Sequence, residues 1–356
     1  MKIGIVTFHR AHNYGAILQA QALQIFLKKY TDDVKIVDYY PCYLKNANKV
    51  FDFKRALSKK IYKIPVKILL EVINAIIRIQ ISIKFNRYLN ENIKLASNKD
   101  ERDIIILGSD QIWNTDITDG FDRVFWCESD KSYNQKVISY AGSFGNLDVN
   151  KVDILKINNL INKIDYFSIR EIDDINKIYE KTNFLARHVC DPTLLTIDFW
   201  RDHVNASNIY NDYILIYRTF IDERVDNLAI TIAKKYNASI IEVSTVPINV
   251  VNNNYKIIYG NPIDFLSLIK NAKYVITTSY HGTLFSIIFR TPFYVFAQNN
   301  NTNRIKSVLV KLGLDDRFLF DNNISTFEIP KWNDVDQKLK LFIKDSIDFI
   351  EESIKK

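Results

Sequence analysis

The chain has only three cysteines in 356 residues, Cys42, Cys127 and Cys190. They are far apart, odd in number and never spaced as CxxC, which argues against a disulfide framework and against a structural zinc site. A reducing compartment suits such a chain. Glycine is also scarce, at nine residues. The loop after the first apolar run holds only Gly15 where a dinucleotide fold would show GxGxxG, so the turn that cradles a pyrophosphate is missing and NAD is disfavoured. The opening MKIGIVTFHR lacks a charged region followed by a long apolar core. It reads as a buried strand instead of a signal peptide, and the expected location is cytoplasmic. No solenoid-period repeat and no low-complexity tract is present.

Core-forming material is plentiful. Hydrophobic residues make up 47% of the chain, and 22 Phe with 20 Tyr exclude a disordered polymer. At this length two domains are expected.

The net charge of +7 is concentrated in one place. Between Lys49 and Arg87 ten Lys or Arg stand against Asp52 and Glu71, a balance of +8 that leaves −1 for the rest. Basicity confined to one segment is not the footprint of a nucleic-acid surface, and no nucleic acid is expected as partner. The same segment contains the apolar-rich stretch Ile68 to Ile83, interrupted by Glu71, Asn74, Arg78, Gln80 and Ser82. It is too short and too broken to span a bilayer. A basic amphipathic helix can rest among anionic headgroups, so residues 49–87 could make a peripheral membrane contact. The alternative is a helical excursion, residues 49–95, that covers the first domain with its lysines in water.

Hydrophobic patterning alternates strand and helix. A strand from Lys2 to Phe8, a polar loop with His9, His12, Asn13, Tyr14 and Gly15, a helix from Ala16 to Tyr30 and a strand from Val34 to Tyr39 form a βαβ unit. Asp103 to Leu107 and Val137 to Tyr140 read as further buried strands, and Val152 to Ile164 as a helix. Past Asp191 and Pro192 a second series begins, with strands at Tyr213 to Thr219, Ser239 to Ser244, Tyr274 to Thr278 and Pro292 to Phe296. Helices near Arg224 to Tyr236, Pro262 to Asn271, Gly282 to Phe289 and Asn303 to Leu312 alternate with them. The expected fold class is α/β, with two Rossmann-like domains of parallel sheet, 1–190 and 191–330. A last amphipathic helix, within 331–356, is expected to pack across their junction. Ligands of open α/β sheets bind beyond the carboxyl ends of the strands, so the site is expected between the domains.

Four places could carry chemistry there. His281 follows the buried run KYVITTS and opens a helix with Gly282; Thr278, Ser279 and Thr283 add hydroxyls, and the helix start suits an anion. The alternative is a histidine that caps its own helix. Arg170, at the end of DYFSIRE, can clamp a carboxylate or phosphate in bidentate fashion, or else pair with Glu171 at a surface. Gly108 to Asn114 sets Ser109, Asp110, Gln111, Trp113 and Asn114 after a strand, a mixture suited to sugar hydroxyls with the indole over an apolar sugar face; the alternative is an N-capped turn. Arg304 is a second anion-binding candidate, or a solvated helix start.

Taken in order, TFHRAHNYGAILQAQAL (Thr7 to Leu23), GSDQIWN (Gly108 to Asn114), SYAGSFG (Ser139 to Gly145), SIRE (Ser168 to Glu171), DPTLL (Asp191 to Leu195), TSYHGTLFSIIFRTPF (Thr278 to Phe293) and NRIKSVLVKLGLDDR (Asn303 to Arg317) resemble the polysaccharide pyruvyl transferase family. The resemblance implies a glycosyltransferase B-like architecture and transfer of the enolpyruvyl group of phosphoenolpyruvate to two hydroxyls of a sugar. The acceptor would be a bacterial surface or capsular glycan precursor, carried as a lipid-linked oligosaccharide at the inner face of the plasma membrane. It places the catalytic residues at His281 and Arg170. The donor would meet Arg170, Ser279, His281, Gly282, Thr283 and Arg304. The acceptor would meet Asn13, Tyr14, Gly15, Ser109, Asp110, Gln111, Asn114, Ser143 and Phe144. Some relatives carry an arginine two residues before the histidine, where this chain has Ser279, and Arg304 is the expected replacement. No cofactor is expected beyond the donor substrate, and the carboxylates form no ligand cluster that would suggest a metal. The competing readings are a nucleotide-sugar glycosyltransferase of the same architecture and a non-catalytic glycan-binding relative.

Overall fold

The computed structural model describes residues 1–51, 64–97, 100–128, 135–145, 147–148, 153–204, 210–247, 255–297, 302–320 and 327–355. The basic residues between 52 and 63, Val152 at the start of an expected helix and the terminal Lys356 lie outside the described residues.

The first sheet is built from β1 (Ile3–Val6), β2 (Val34–Val37), β3 (Leu95–Ala96), β4 (Ile104–Leu107), β5 (Lys136–Gly142), β6 (Tyr166–Ile169) and β7 (Arg187–His188). The second contains β8 (Tyr213–Tyr217), β9 (Ser239–Val243), β10 (Lys256–Ile258), β11 (Tyr274–Thr277), β12 (Phe293–Phe296) and β13 (Phe318–Leu319). Their orders are β3-β2-β1-β4-β5-β6-β7 and β10-β9-β8-β11-β12-β13, with every described pairing parallel. Both have the Rossmann pattern, in which the chain first winds outward in one direction and then restarts beside the first strand. The α/β fold with two Rossmann-like parallel sheets expected from the sequence is the one observed. Short continuous apolar runs such as IIIL in β4 are buried at every residue because helices cover both faces.

The first helix, Tyr14–Leu27, begins two residues before its expected start. Asn13 has extended backbone and its side chain accepts a hydrogen bond from the Ala16 N–H, so Tyr14 and Gly15 lie in the first turn and not in the loop. All its residues but Ile25 are buried. A helix wrapped on every side needs no amphipathic period, and its sequence shows little. One side faces the first sheet; the other meets the second domain. Tyr14 stacks on Phe265 at 4.5 Å between ring centroids, and Tyr217 meets Phe265 edge-on at 4.7 Å. The Tyr14 hydroxyl donates to the carbonyls of Gly260, at 3.0 Å, and Ser244, at 3.3 Å. One apolar core therefore runs from Ile3 and Leu18 through Tyr14 to Leu215 and Phe285. The closing helix, Trp332–Lys355, touches both halves: the Cys190 N–H donates to Ser346, Phe342 lies against His188, and Arg290 pairs with Asp336.

Candidate active site

The turning points of the two sheets face each other. From the first come the loops after β1 and β4; from the second, those after β8 and β11. They enclose a cavity of about 270 Å³ lined by Asn13, Asp110, Gln111, Ser279, His281 and Arg304 among others. A neighbouring cavity of about 850 Å³ shares Asn13, Leu44 and Thr219 with it and is walled by Asn74 and Arg78 of the long helix Ile64–Asn92.

His281 sits in the first turn of the helix Tyr280–Phe289, whose N-cap is Ser279. Its ring packs on the backbone of the first helix, and Gly15 is what permits this. A Cβ at Gly15 would lie 2.0 Å from His281 Nδ1. On the other side, His281 Nε2 stands 3.5 Å from Asp191 Oδ2. Asp191 is the hub of the site. It accepts from the Thr193 N–H at 3.0 Å, the Thr193 hydroxyl at 2.8 Å, Arg170 at 2.9 Å and, more weakly, the Ser109 hydroxyl at 3.4 Å. Burial by itself would raise its pKa, but His281, Arg170 and the Thr193 N–H outweigh burial and hold the carboxyl well below its ordinary range.

Arg170 follows β6 and is only 3% exposed. Its Nε donates to Glu171 at 3.2 Å, and its terminal nitrogens donate to Asp191 at 2.9 Å and Asp110 at 3.4 Å. Burial opposes the guanidinium charge, yet these carboxylates and Tyr280 raise its pKa above the ordinary value. The surface ion pair with Glu171 is thus replaced by a buried three-carboxylate cage. Of the three, Asp110 alone also lines the cavity. Arg304, from the helix Thr302–Leu312, lines the cavity. Both guanidinium carbons lie over the Tyr280 ring, at 4.7 Å for Arg170 and 5.8 Å for Arg304. Burial, reinforced by Arg170, lowers the pKa of Arg304. A guanidinium so placed on a cavity wall is suited to an anion.

Glu171 completes the cluster. It is fully buried, and its Oε1 accepts from the Ser143 hydroxyl at 2.6 Å as well as from Arg170. Burial first, then the nearby Asp174, push it up to about 7 against the pull of Arg170 and Arg304.

The expected donor residues divide. Ser279, His281 and Arg304 line the cavity, but Gly282 and Thr283 stand behind it. The Gly282 N–H donates to the Ser279 side chain, and the Thr283 hydroxyl donates back to the Ser279 carbonyl. The expected acceptor residues divide more sharply. Asn13, Asp110 and Gln111 line the cavity, with Asn114 bonded to Gln111 at 2.9 Å. Tyr14 belongs to the domain interface, Gly15 to the backing of His281, and Ser109 and Ser143 to the support of Asp191 and Glu171. Phe144 and Trp113 pack in an aromatic core with Trp126 and Phe167, and the Trp113 N–H donates to the Phe125 carbonyl. The indole therefore covers no sugar, because its polar edge and both faces are occupied inside the first domain. Sequence reading missed Asp191, Glu171 and Tyr280 as site residues. Asp191 offered one signal, its place at the head of DPTLL immediately before a short helix.

No curated protein matches the chain. Among solved structures it is similar to the UDP-GlcNAc 2-epimerase from Methanocaldococcus jannaschii, at 15% identity over 96% of this chain and 93% of that one with a TM-score of 0.48. It is also similar to the UDP-GlcNAc 2-epimerase from Neisseria meningitidis, at 10% identity over 99% and 94% with a TM-score of 0.48. A third likeness is the glycosyltransferase SnogD from Streptomyces nogalater, at 9% identity over 100% and 98% with a TM-score of 0.43. The family model for polysaccharide pyruvyl transferase matches residues 13–300, a span that begins at the cap of the first helix and takes in Asp110, Arg170, Asp191 and His281. With that span covered, the chain belongs to the polysaccharide pyruvyl transferase family and is a transferase.

Proposed function

We propose that this chain transfers the enolpyruvyl group of phosphoenolpyruvate to two hydroxyls of one sugar in a bacterial surface-glycan precursor, forming a pyruvate ketal and releasing phosphate. The observation that carries the reading is the His281–Asp191–Arg170 chain of contacts, set beside Arg304 at the wall of a cavity of about 270 Å³. Such a space suits a small anion, and the adjoining larger cavity suits a sugar.

In the proposed reaction, His281 gives a proton to the methylene carbon of the donor, which becomes a methyl group and leaves a cation at the neighbouring carbon. One sugar hydroxyl adds there, the C–O bond to phosphate breaks, and the second hydroxyl closes the ketal. Of the two hydroxyl protons, one restores His281 and one leaves with phosphate. Asp191 holds the imidazole in place. Arg304 and Arg170 hold the donor's anionic groups, with the donor taking the place of Asp110, the longest of the Arg170 contacts. No step routes through a metal, and no cofactor is used beyond the donor itself.

The test is pyruvylation of candidate lipid-linked oligosaccharides, read as the mass of the ketal, in excess chelator. Product is expected with wild type, and His281→Ala is expected to lower the rate about 100-fold or more. Wild-type turnover by His281→Ala removes the proposed acid. Thermal stabilisation by a nucleotide-sugar and not by phosphoenolpyruvate would instead support the glycosyltransferase reading.

A further inference from the structure

We infer that the outer face of the long helix Ile64–Asn92 docks on an anionic lipid surface. Leu69, Val72, Ile73, Ile76, Ile79 and Ile83 are each 43–61% exposed. At about 3.6 residues per turn these six fall within about 120° of the circumference and run for about 21 Å along the axis. The opposite face, with Ala75, Ile81, Phe85 and Tyr88, is buried against the protein. From Ile68 to Ile83 the helix carries two charges, Glu71 and Arg78. Both turn inward, where they pair at 2.6 Å beside the larger cavity. A helix that merely covers a sheet in water presents charge outside and aliphatic side chains inside. Here the charged pair is inside and an aliphatic stripe, broken by the exposed Gln80, is outside.

A patch of this size on a water-soluble surface marks a contact site. Charge decides the partner. The stripe belongs to the segment Lys49 to Arg87, with its balance of +8 in a chain otherwise at −1. Net positive charge in the same stretch of sequence as an aliphatic face complements anionic headgroups over an acyl layer, and would disfavour a second copy of the same segment. No helix among the described residues is long and apolar enough to cross a membrane, so the contact lies along the surface. The inner wall of the same helix lines the larger cavity, so docking would bring that cavity to the headgroup layer. Under the proposed function, this is where a lipid-linked acceptor would arrive.

The experiment is cosedimentation of the full chain with vesicles of phosphatidylglycerol and phosphatidylcholine, against vesicles of phosphatidylcholine alone. It uses neither donor nor acceptor, so its result is independent of the proposed chemistry. Wild type is expected to pellet with the anionic vesicles only. The exposed double variant Leu69→Glu with Ile76→Glu is expected to melt like wild type and to lose about 100-fold in vesicle affinity. Equal binding by that variant, equal binding to both lipids, or no binding to either overturns the inference. So does a wild-type dimer that the variant separates into monomers, which would assign the face to a second copy of the chain.

Discussion

Gly15 and His281 touch across the domain boundary, backbone against imidazole, with no room for a methyl group between them: a Cβ at Gly15 would meet Nδ1 at 2.0 Å and Cγ at 2.2 Å. The start of one domain's first helix is thus the backing plate for the other domain's candidate acid. Gly15→Ala is expected to lower stability by about 1–3 kcal/mol through overpacking and to displace the imidazole. Thermal melting and turnover measured together check this. A variant that melts and turns over as wild type would show that the two surfaces can part without consequence.

Asp191 joins the two arms of the site. Asp191→Asn keeps the shape but leaves Arg170 short of a buried counter-charge, at a cost of about 3 kcal/mol. It also withdraws the charge facing His281 Nε2. A fall in kcat larger than any rise in KM for the donor is the expected pattern, since the change acts on the acid and less on binding. A pure KM effect would place Asp191 with donor binding instead.

Glu171 sets an expected pH dependence. With its carboxyl pushed up to about 7, and facing Arg170, Arg304, Asp174 and Ser143, it is poised to take up a proton when an anion enters nearby. The sign follows from linkage. A bound anion raises the Glu171 pKa further, the complex holds more protons, and donor affinity falls as pH rises through about 7. Calorimetric titration in two buffers of different ionisation enthalpy measures the uptake. Comparison with Glu171→Gln cancels the titration of the donor itself, and the same slope in both proteins would acquit Glu171.

What the linear order of residues made legible is local. Short runs such as IIIL before Gly108, and YVIT before the turn at His281, mark strands whose carboxyl ends must carry the site, because burial on both faces demands continuous apolar residues and parallel connection returns each chain end to the same edge. His281 and Asp110 are readable on that ground, whereas Arg304 is readable only from its place at the start of a helix. Tyr14 and Gly15 were misplaced by two residues because the cap at Asn13 turns the chain into helix before the apolar run begins. Trp113 and Phe144 were read as exposed because they stand in polar company, while their rings pack downward into a core assembled from β6 and the segment near Trp126.

The sequence by itself determined two parallel α/β units, a candidate acid and basic groups at strand ends, since these follow from periodicity and from residue type at a turn. Only the tertiary structure decided that Arg170 is held by Asp110, Glu171 and Asp191 and that His281 rests on Gly15. Those relations join loops far apart in the chain, and their energies depend on distance and burial in three dimensions, quantities that no local pattern encodes.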